Sequence, residues 1–192
     1  MKKAIFLRTP FKLLFIVLLL SNFNAFAQKT TVWIVNHAET IDKTGELSDT
    51  GQLRAAELAK ALKHEQIEII YVTGAKASVE TANPLAAKEK ILPRVYKDSV
   101  ERFADIIKKN LIGKNILIIA DYKTILPLIA AFGASSPFDG LEEGDYDQLF
   151  SVTIKTSGNT DFSVRYYGKK HHVNAIPQSY ILDNFSPGLP GR

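Results

Sequence analysis

Six side chains that could take part in catalysis or ligand binding lie close to the ends of three apolar runs in the sequence. They are Asn36, His37, Glu39, Lys76, Asp121 and Lys123. Histidine can act as a nucleophile or a base, carboxylates can move protons, and lysines can bind anions. Residue types and spacing alone are equally compatible with a structural histidine and solvated lysines, so a functional interpretation needs further observations.

The three runs are typical of buried strands because they are short, apolar and rich in β-branched residues. They cover residues 31–35, 67–72 and 115–120, and Trp33 in the first run is expected in the core. Between the first two runs, Ser48 can cap a helix whose apolar side chains recur at helical spacing. That stripe consists of Ala55, Leu58, Ala59 and Leu62.

Three more helices are predicted farther along the chain. They run through residues 82–90, over a stripe that begins at Val100, and over residues 124–132. Pro84 either begins the first of these helices or lies inside a longer helix that bends there. Pro127 is expected only in the first turn of the last one, because proline lacks a backbone donor.

The last part of the chain changes from helical to alternating spacing. Alternation on both sides of the turn at residues 157–160 predicts a β-hairpin. His171 and His172 beyond it are expected in a solvated loop, with metal binding there as the alternative. The tail after Tyr180 is expected to be coil.

Strands that alternate with helices predict an α/β three-layer sandwich. Its central sheet would be mostly parallel, with helices on both faces and the C-terminal hairpin at one edge. In such sheets the ligand site lies beyond the carboxyl ends of the strands. The six side chains named first are therefore expected near that edge.

Five sequence motifs occur in a fixed order along the chain: TVWIVNHAET, LSDTGQLRAAELAKAL, IEIIYVTGAKASVETANPLA, KNILIIADYKTILPLIAAFG and YDQLFSVTIKT. Together they resemble the histidine phosphatase superfamily, with its phosphoglycerate-mutase-like fold. The resemblance covers nearly all of the chain after residue 27. It is nearest to the small exported or phosphohistidine-phosphatase-like branch.

The resemblance implies that His37 is the nucleophile, which in this family attacks phosphorus to form a phosphohistidine. The family's remaining phosphate contacts are two arginines and a second histidine. In this chain their places are taken by Asn36, Ala77 and Asp121. Glu39 is a candidate catalytic residue because it places a carboxylate near the nucleophile, although the family's proton donor has no clear counterpart here.

These replacements predict a damaged phosphate site. Loss of one donor to a developing oxyanion typically costs on the order of 10² to 10³ in rate. A carboxylate at position 121 would repel phosphate by about 4 kcal/mol per unit charge at 4 Å and an effective dielectric near 20. The resemblance also suggests that Asp121 faces His37, in which case the two would form an ion pair. Lys76 and Lys123 could approach a phosphate as point charges, but pairing with surface acids is the simpler expectation.

Three hypotheses about function follow from these residues. The first is a catalytically impaired binding module, with Asn36, Lys76, Asp121 and Lys123 as candidate ligand contacts. The alternative is a weak or altered phosphohydrolase that acts on phosphomonoesters through a phospho-His37 intermediate. The third is a metal site made of the candidate set His37, Glu39 and Asp121, whose spacing matches no established pattern. The first two need neither a cofactor nor a metal.

Residues 1–27 are typical of a cleavable signal peptide, and residues 28–192 are expected to form one domain. Four basic residues without an acid precede an apolar run at residues 13–20, and Ala25 and Ala27 give the small-x-small pattern for cleavage. The run is shorter than the roughly 18 to 20 residues that span a bilayer. No cysteine is present to carry a lipid. The protein is therefore expected to be periplasmic or secreted.

The charge balance excludes some classes of partner. The chain has 24 basic and 20 acidic residues, and removal of the four basic residues of the leader leaves 24 − 4 = 20 of each. A formally neutral mature chain gives no reason to expect nucleic acid as a partner. No later segment predicts a membrane span, so the expected partner is an unidentified small ligand or protein.

Overall fold

The computed structural model describes residues 29–41 and 44–185. The predicted signal peptide and the end of the C-terminal tail lie outside these residues. Within them the chain forms a single six-stranded sheet with helices packed on both of its faces. No helix in the described ranges combines the length and apolar character needed to cross a membrane.

The sheet is mostly parallel, with its antiparallel strands at one edge. Its spatial order is β3-β2-β4-β1-β5-β6, in which β1, β2, β3 and β4 run parallel and β5 and β6 run antiparallel to their neighbours. The strands are β1 (Thr30–Asn36), β2 (Ile69–Val72), β3 (Arg94–Val95), β4 (Asn115–Ala120), β5 (Gln148–Ile154) and β6 (Thr160–Tyr166). The predicted sheet with its C-terminal edge hairpin is confirmed.

Five helices lie in the described residues, and two of them contain a proline. Pro84 is inside a longer helix, which decides between the two alternatives for it. Pro127 also lies inside its helix, beyond the first turn, so the expectation of a first-turn proline was wrong. The helices are α1 (Asp49–Ala61), α2 (Lys76–Glu89), α3 (Val100–Asn110), α4 (Tyr122–Ala131) and α5 (Gln178–Phe185).

Alternation along the buried strands divides the core into two apolar layers. On β1, Val32 and Ile34 pack with side chains of α3 and α4, whereas Trp33 and Val35 pack with side chains of α1 and α2. Successive residues of a strand point to opposite faces of a sheet, so both layers are anchored on the same strands. Trp33 is 8% exposed, as expected for a core residue.

Two elements differ from the sequence-based expectation. The edge strand β3 was not predicted, because two residues are too few to show a period. Helix α5 replaces part of the coil expected after Tyr180, and the Tyr180 ring packs edge-on against Phe162 of β6 at 5.9 Å. That contact ties the end of the described chain to the hairpin.

Candidate functional site

His37 lies where β1 leaves the sheet, as the sequence predicted. Its backbone N–H donates to Ala120 O at the end of β4, at 3.1 Å. The next N–H, of Ala38, donates to the Thr81 hydroxyl of α2 at 2.9 Å. The histidine backbone is therefore fixed from both sides, at the carboxyl edge where parallel α/β sheets bind ligands.

The His37 ring is held in one orientation. Nδ1 lies 2.9 Å from Ala38 O, and a carbonyl oxygen can only accept, so Nδ1 carries the hydrogen of this bond. In the neutral ring, Nε2 then keeps its lone pair. The ring is half-buried. This tautomer leaves Nε2 able to act as a nucleophile, although the side chains around the ring differ from those expected at a phosphate site.

Asn36 does not offer its amide nitrogen to a ligand. Nδ2 lies 3.3 Å from Asp145 O and 3.5 Å from Glu143 O, so it faces the loop that precedes β5. The residue is 1% exposed. Its other polar atom, Oδ1, is a buried acceptor without a hydrogen-bond partner among the described residues. In this geometry Asn36 supplies no donor to an anion.

The segment after β2 also lacks a donor at the expected place. Ala77 is 4% exposed in the first turn of α2 and has no polar side chain. The neighbouring Lys76 ammonium pairs with Glu46 and lies 3.9 Å from Glu80. The pairing with surface acids expected from the sequence is thus what the structure shows for Lys76.

Asp121 caps the helix that follows β4. Its Oδ1 accepts from the backbone N–H of Lys123 at 2.9 Å, so Asp121 is the N-cap of α4. No ion pair joins Asp121 to His37 within the described residues, and the prediction of that pair was wrong. Capping α4 and pairing with His37 would compete for the same carboxylate, because an N-cap side chain must stay near the first backbone N–H groups of its own helix. The Lys123 ammonium lies 5.3 Å from the centre of the Tyr122 ring.

Glu39 is buried in an ion pair that the sequence did not predict. Arg54 of α1 donates to its carboxylate from Nε at 2.8 and 2.9 Å and from Nη2 at 2.7 Å. The two side chains are 2% and 9% exposed. Burial by itself would raise the pKa of Glu39, but hydrogen bonds from Arg54 and His171 outweigh it and hold the pKa below the ordinary value. Glu39 is therefore an ionised structural partner here, not a carboxyl group with a proton to give.

His171 and His172 lie in a loop, as expected, and the His171 side chain is 49% exposed, but both side chains contact buried carboxylates, which the sequence did not predict. His171 Nδ1 lies 2.8 Å from Glu39 Oε1. The His172 side chain is 7% exposed, lies 2.9 Å from Asp147 Oδ2, and stacks on Tyr166 at 4.5 Å. We call residues 168–177, which connect β6 to α5, the strap.

Two buried carboxylates hold the strap against the carboxyl edge. Asp145 accepts from the backbone N–H groups of Val173 and Asn174, each at 2.8 Å. Asp147 accepts from His171 N at 2.8 Å. Burial by itself would raise the pKa of Asp145, but hydrogen bonds from Asn174, Glu142 and Val173 outweigh this effect and lower the pKa. The strap is thus bound through backbone donors, which composition alone does not show.

The strap brings a second histidine close to the His37 site. The Tyr146 ring lies 6.4 Å from the His37 ring and 5.0 Å from the His171 ring, measured between centres. Asp121 stands where the resemblance implies a second histidine, and His171 reaches the same edge from a different part of the chain. The proposed set of His37, Glu39 and Asp121 does not assemble as a metal site, and no metal-binding group of three occurs in the described part of the chain.

Residues 30–109 match the family model described as "Histidine phosphatase superfamily (branch 1)". No curated protein sequence matches the chain significantly. Among solved structures, the protein histidine phosphatase SixA complexed with tungstate is 16% identical, with 71% of this chain and 96% of that chain covered and a TM-score of 0.55. At identities this low the likeness concerns the fold.

Two further structures give the same result. A mycobacterial glucosyl-3-phosphoglycerate phosphatase is 12% identical, with coverage of 74% of this chain and 100% of that chain and a TM-score of 0.55. Phosphoserine phosphatase from Entamoeba histolytica, in complex with 3-phosphoglyceric acid, is 16% identical, with coverage of 73% and 98% and a TM-score of 0.55. The three-layer architecture is shared across nearly the whole length of each.

Proposed function

We propose that the chain, whose residues 30–109 match the model of the histidine phosphatase superfamily, is an exported member that binds a ligand at the His37 site and is impaired in phosphoryl transfer. The observation that carries the proposal is the orientation of Asn36. Its only donor group faces the carbonyl oxygens of Glu143 and Asp145, so the position that the resemblance assigns to an arginine gives nothing to a phosphate.

The surroundings of His37 support this proposal by their charge. Phosphoryl transfer depends on positive groups around the equatorial oxygens of phosphorus. Ala77 has none to give, and the Lys76 and Lys123 ammonium groups are engaged with glutamates and with an aromatic ring. Asp121 adds a negative charge at the end of the neighbouring strand. Each missing donor costs on the order of 10² to 10³ in rate, and none of the replacements offsets that loss.

Export belongs to the proposal and rests on the N-terminal sequence. The basic start, the short apolar run and the Ala-Phe-Ala pattern that ends at Ala27 are the three parts of a cleavable signal peptide. The protein would then act in a periplasm or outside the cell.

A weak phosphohydrolase is the second candidate, and one observation favours it. The hydrogen bond from Nδ1 to Ala38 O leaves His37 Nε2 free to attack phosphorus. His171, oriented by its contact with Glu39, brings a second imidazole to the same edge. On this account His37 remains the nucleophile and the lost arginines reduce the rate.

Hydrolysis of an aromatic phosphomonoester separates the two candidates. The purified protein is assayed with p-nitrophenyl phosphate across pH 4 to 9, beside His37→Ala and the matched variant His64→Ala, which removes an exposed histidine in the turn after α1. The proposal predicts the same background rate for all three proteins. Turnover that His37→Ala abolishes and His64→Ala retains would refute it in favour of the hydrolase.

A further inference from the structure

Two amide side chains at the carboxyl edge have oxygens that no donor reaches. Asn36 ends β1 and Gln148 begins β5, and continuing the register by one residue from Val35 and Leu149 puts them opposite each other. Both residues are 1% exposed. Asn36 Oδ1 and Gln148 Oε1 have no hydrogen-bond partner within the described chain.

The nitrogen atoms fix the orientation of both amides. Asn36 Nδ2 faces the carbonyl oxygens of Glu143 and Asp145, and Gln148 Nε2 donates to Asn174 O at 2.5 Å. Carbonyl oxygens only accept, so turning either amide around would lose its bonds. The two free atoms are therefore acceptors. Buried acceptors without partners are rare, and they point to a missing donor.

The charged groups at this edge also favour a positive ligand. Asp121 caps α4 through one carboxylate oxygen, and none of the hydrogen bonds of the described chain uses the other. Glu143 is exposed on the loop that Asn36 holds. Arg54 is bound by Glu39, while the Lys76 and Lys123 ammonium groups have the contacts described above. Asp121 and Glu143 are thus two carboxylates at this edge that form no ion pair among the described residues, and a positive group is the natural partner for them.

An aromatic ring completes the site. The Tyr146 ring is close to the rings of both His37 and His171. Burial raises the pKa of the Tyr146 phenol, and the nearby charges of Glu143 and Glu39 raise it further. Because these two carboxylates are negative, they disfavour a further negative charge at this ring. The face of a tyrosine ring attracts cations, and more strongly when water is excluded.

We propose that the His37 site takes a positively charged group that donates hydrogen bonds, an ammonium or a guanidinium, where the family resemblance implies phosphate. The Asp121 carboxylate and Asn36 Oδ1 are its acceptors, and Tyr146 contributes its ring face. This proposal rests on the proposed function, since it names the ligand class of the binding module. Asn36 and Asp121 stand where the resemblance implies an arginine and a histidine, and on this proposal they reverse the charge preference of the site.

Calorimetric titration of the full protein with two probes tests this inference. Agmatine carries both a guanidinium and an ammonium group, and tungstate is a phosphate-like anion. We expect agmatine to bind and tungstate to give no heat of binding. Asp121→Asn, which can still cap α4, should weaken agmatine binding about tenfold, the equivalent of about 1.4 kcal/mol. Tyr146→Leu should weaken it as well.

The controls separate this inference from the proposed function. Asp161→Asn removes a carboxylate that pairs with Lys155 in the edge hairpin and should leave agmatine binding unchanged. Tungstate binding without agmatine binding would overturn the inference, and its loss in Lys169→Ala/Lys170→Ala would assign the anion to the strap. Absence of binding by both probes would also overturn it, while the hydrolysis assay would still decide the proposed function on its own.

Discussion

Arg54 is the residue on which the buried polar part of the site depends. Its guanidinium holds the Glu39 carboxylate, and that carboxylate in turn contacts His171 of the strap. A buried ion pair adds little compared with apolar residues of equal size, but removing one partner leaves a buried charge unmatched. The three side chains therefore act as a unit that orients the chain after His37.

Loss of the Arg54 charge should destabilise the fold far more than loss of an exposed arginine. Arg54→Met should lower the free energy of unfolding by about 3 to 5 kcal/mol, because Glu39 stays buried without a counter-charge. Arg102→Met is the matched control, since Arg102 also pairs with a carboxylate but is 75% exposed, and it should change stability by less than about 1 kcal/mol. Urea denaturation measures both. Equal effects would show that the buried pair is not structural.

Acid should unfold the protein through the buried carboxylates. The pKa values of Glu39 and Asp145 are lowered in the folded state, so their contribution to stability is present above the ordinary carboxyl range and is lost as the pH falls through and below it. The melting temperature should therefore fall steeply between about pH 5 and pH 3, where unfolded carboxylates begin to take up protons. Asp145→Asn should be less stable at pH 7 and show a shallower decline. An equally steep decline in that variant would contradict this account.

At the residue scale, sequence reasoning predicted the position of His37 but not its partners. Glu39 and Arg54 are 15 residues apart, and only the packing of α1 against the end of β1 brings them together. His171 and His172 lie in a segment without periodicity, so only their contacts with carboxylates show that they are ordered. The resemblance suggested that Asp121 faces His37, whereas its carboxylate caps α4 and forms no ion pair with the imidazole.

The start of α1 packs closely against the loop that follows β1. Ser48 caps the helix by accepting from Gly51 N at 3.1 Å, and its own N–H and hydroxyl both donate to Glu39 O. A Cβ at Gly51 would lie 2.1 Å from Glu39 O. Close approach of helix and loop at this point requires glycine.

A methyl group at Gly51 should therefore disturb both stability and the site. Gly51→Ala should lower the free energy of unfolding by about 1 to 3 kcal/mol, the usual cost of overpacking. Gly140→Ala is the control, because a Cβ there meets nothing within 4 Å. Thermal unfolding compares the two variants. If Gly51→Ala melts with the wild-type protein, the close contact between α1 and the loop after β1 is not required.

At the element scale, the strands and helices that pack on both layers were predictable. Their apolar periods reflect the two layers of the core, as in the alternation of β1 and the stripe of α1. Strand β3 and the strap were not predictable, since the first is two residues long and the second is held by backbone donors to Asp145 and Asp147. Local sequence carries no sign of such long-range bonds.

The whole molecule combines a familiar architecture with an unusual site. Alternating strands and helices predicted the three-layer sandwich, and the comparisons with phosphatases confirm that fold. Fold alone does not decide activity. The function therefore depends on a few side chains at the carboxyl edge, and there Asn36, Ala77 and Asp121 carry no positive charge.

Processing of the N-terminus is a prediction at this scale. Expression of the full sequence in a bacterial host should give a mature protein that begins at Gln28, because the apolar run is too short for a stable membrane span. Intact-mass measurement of the released protein checks this. Ala27→Arg should block cleavage and retain residues 1–27, whereas a wild-type mass that includes them would contradict the prediction of a cleavable leader.

Phosphorylation of His37 tests the central claim most directly, because it requires one transfer and no turnover. The protein is incubated with phosphoramidate, beside His37→Ala and an active histidine phosphatase as positive control, and phosphohistidine is measured by phosphorus NMR. The account predicts a signal only in the positive control, since Asn36 and Ala77 offer no positive charge to a group transferred to His37 and Asp121 adds a negative one. A phosphohistidine signal that appears in the wild-type protein and disappears in His37→Ala would contradict it.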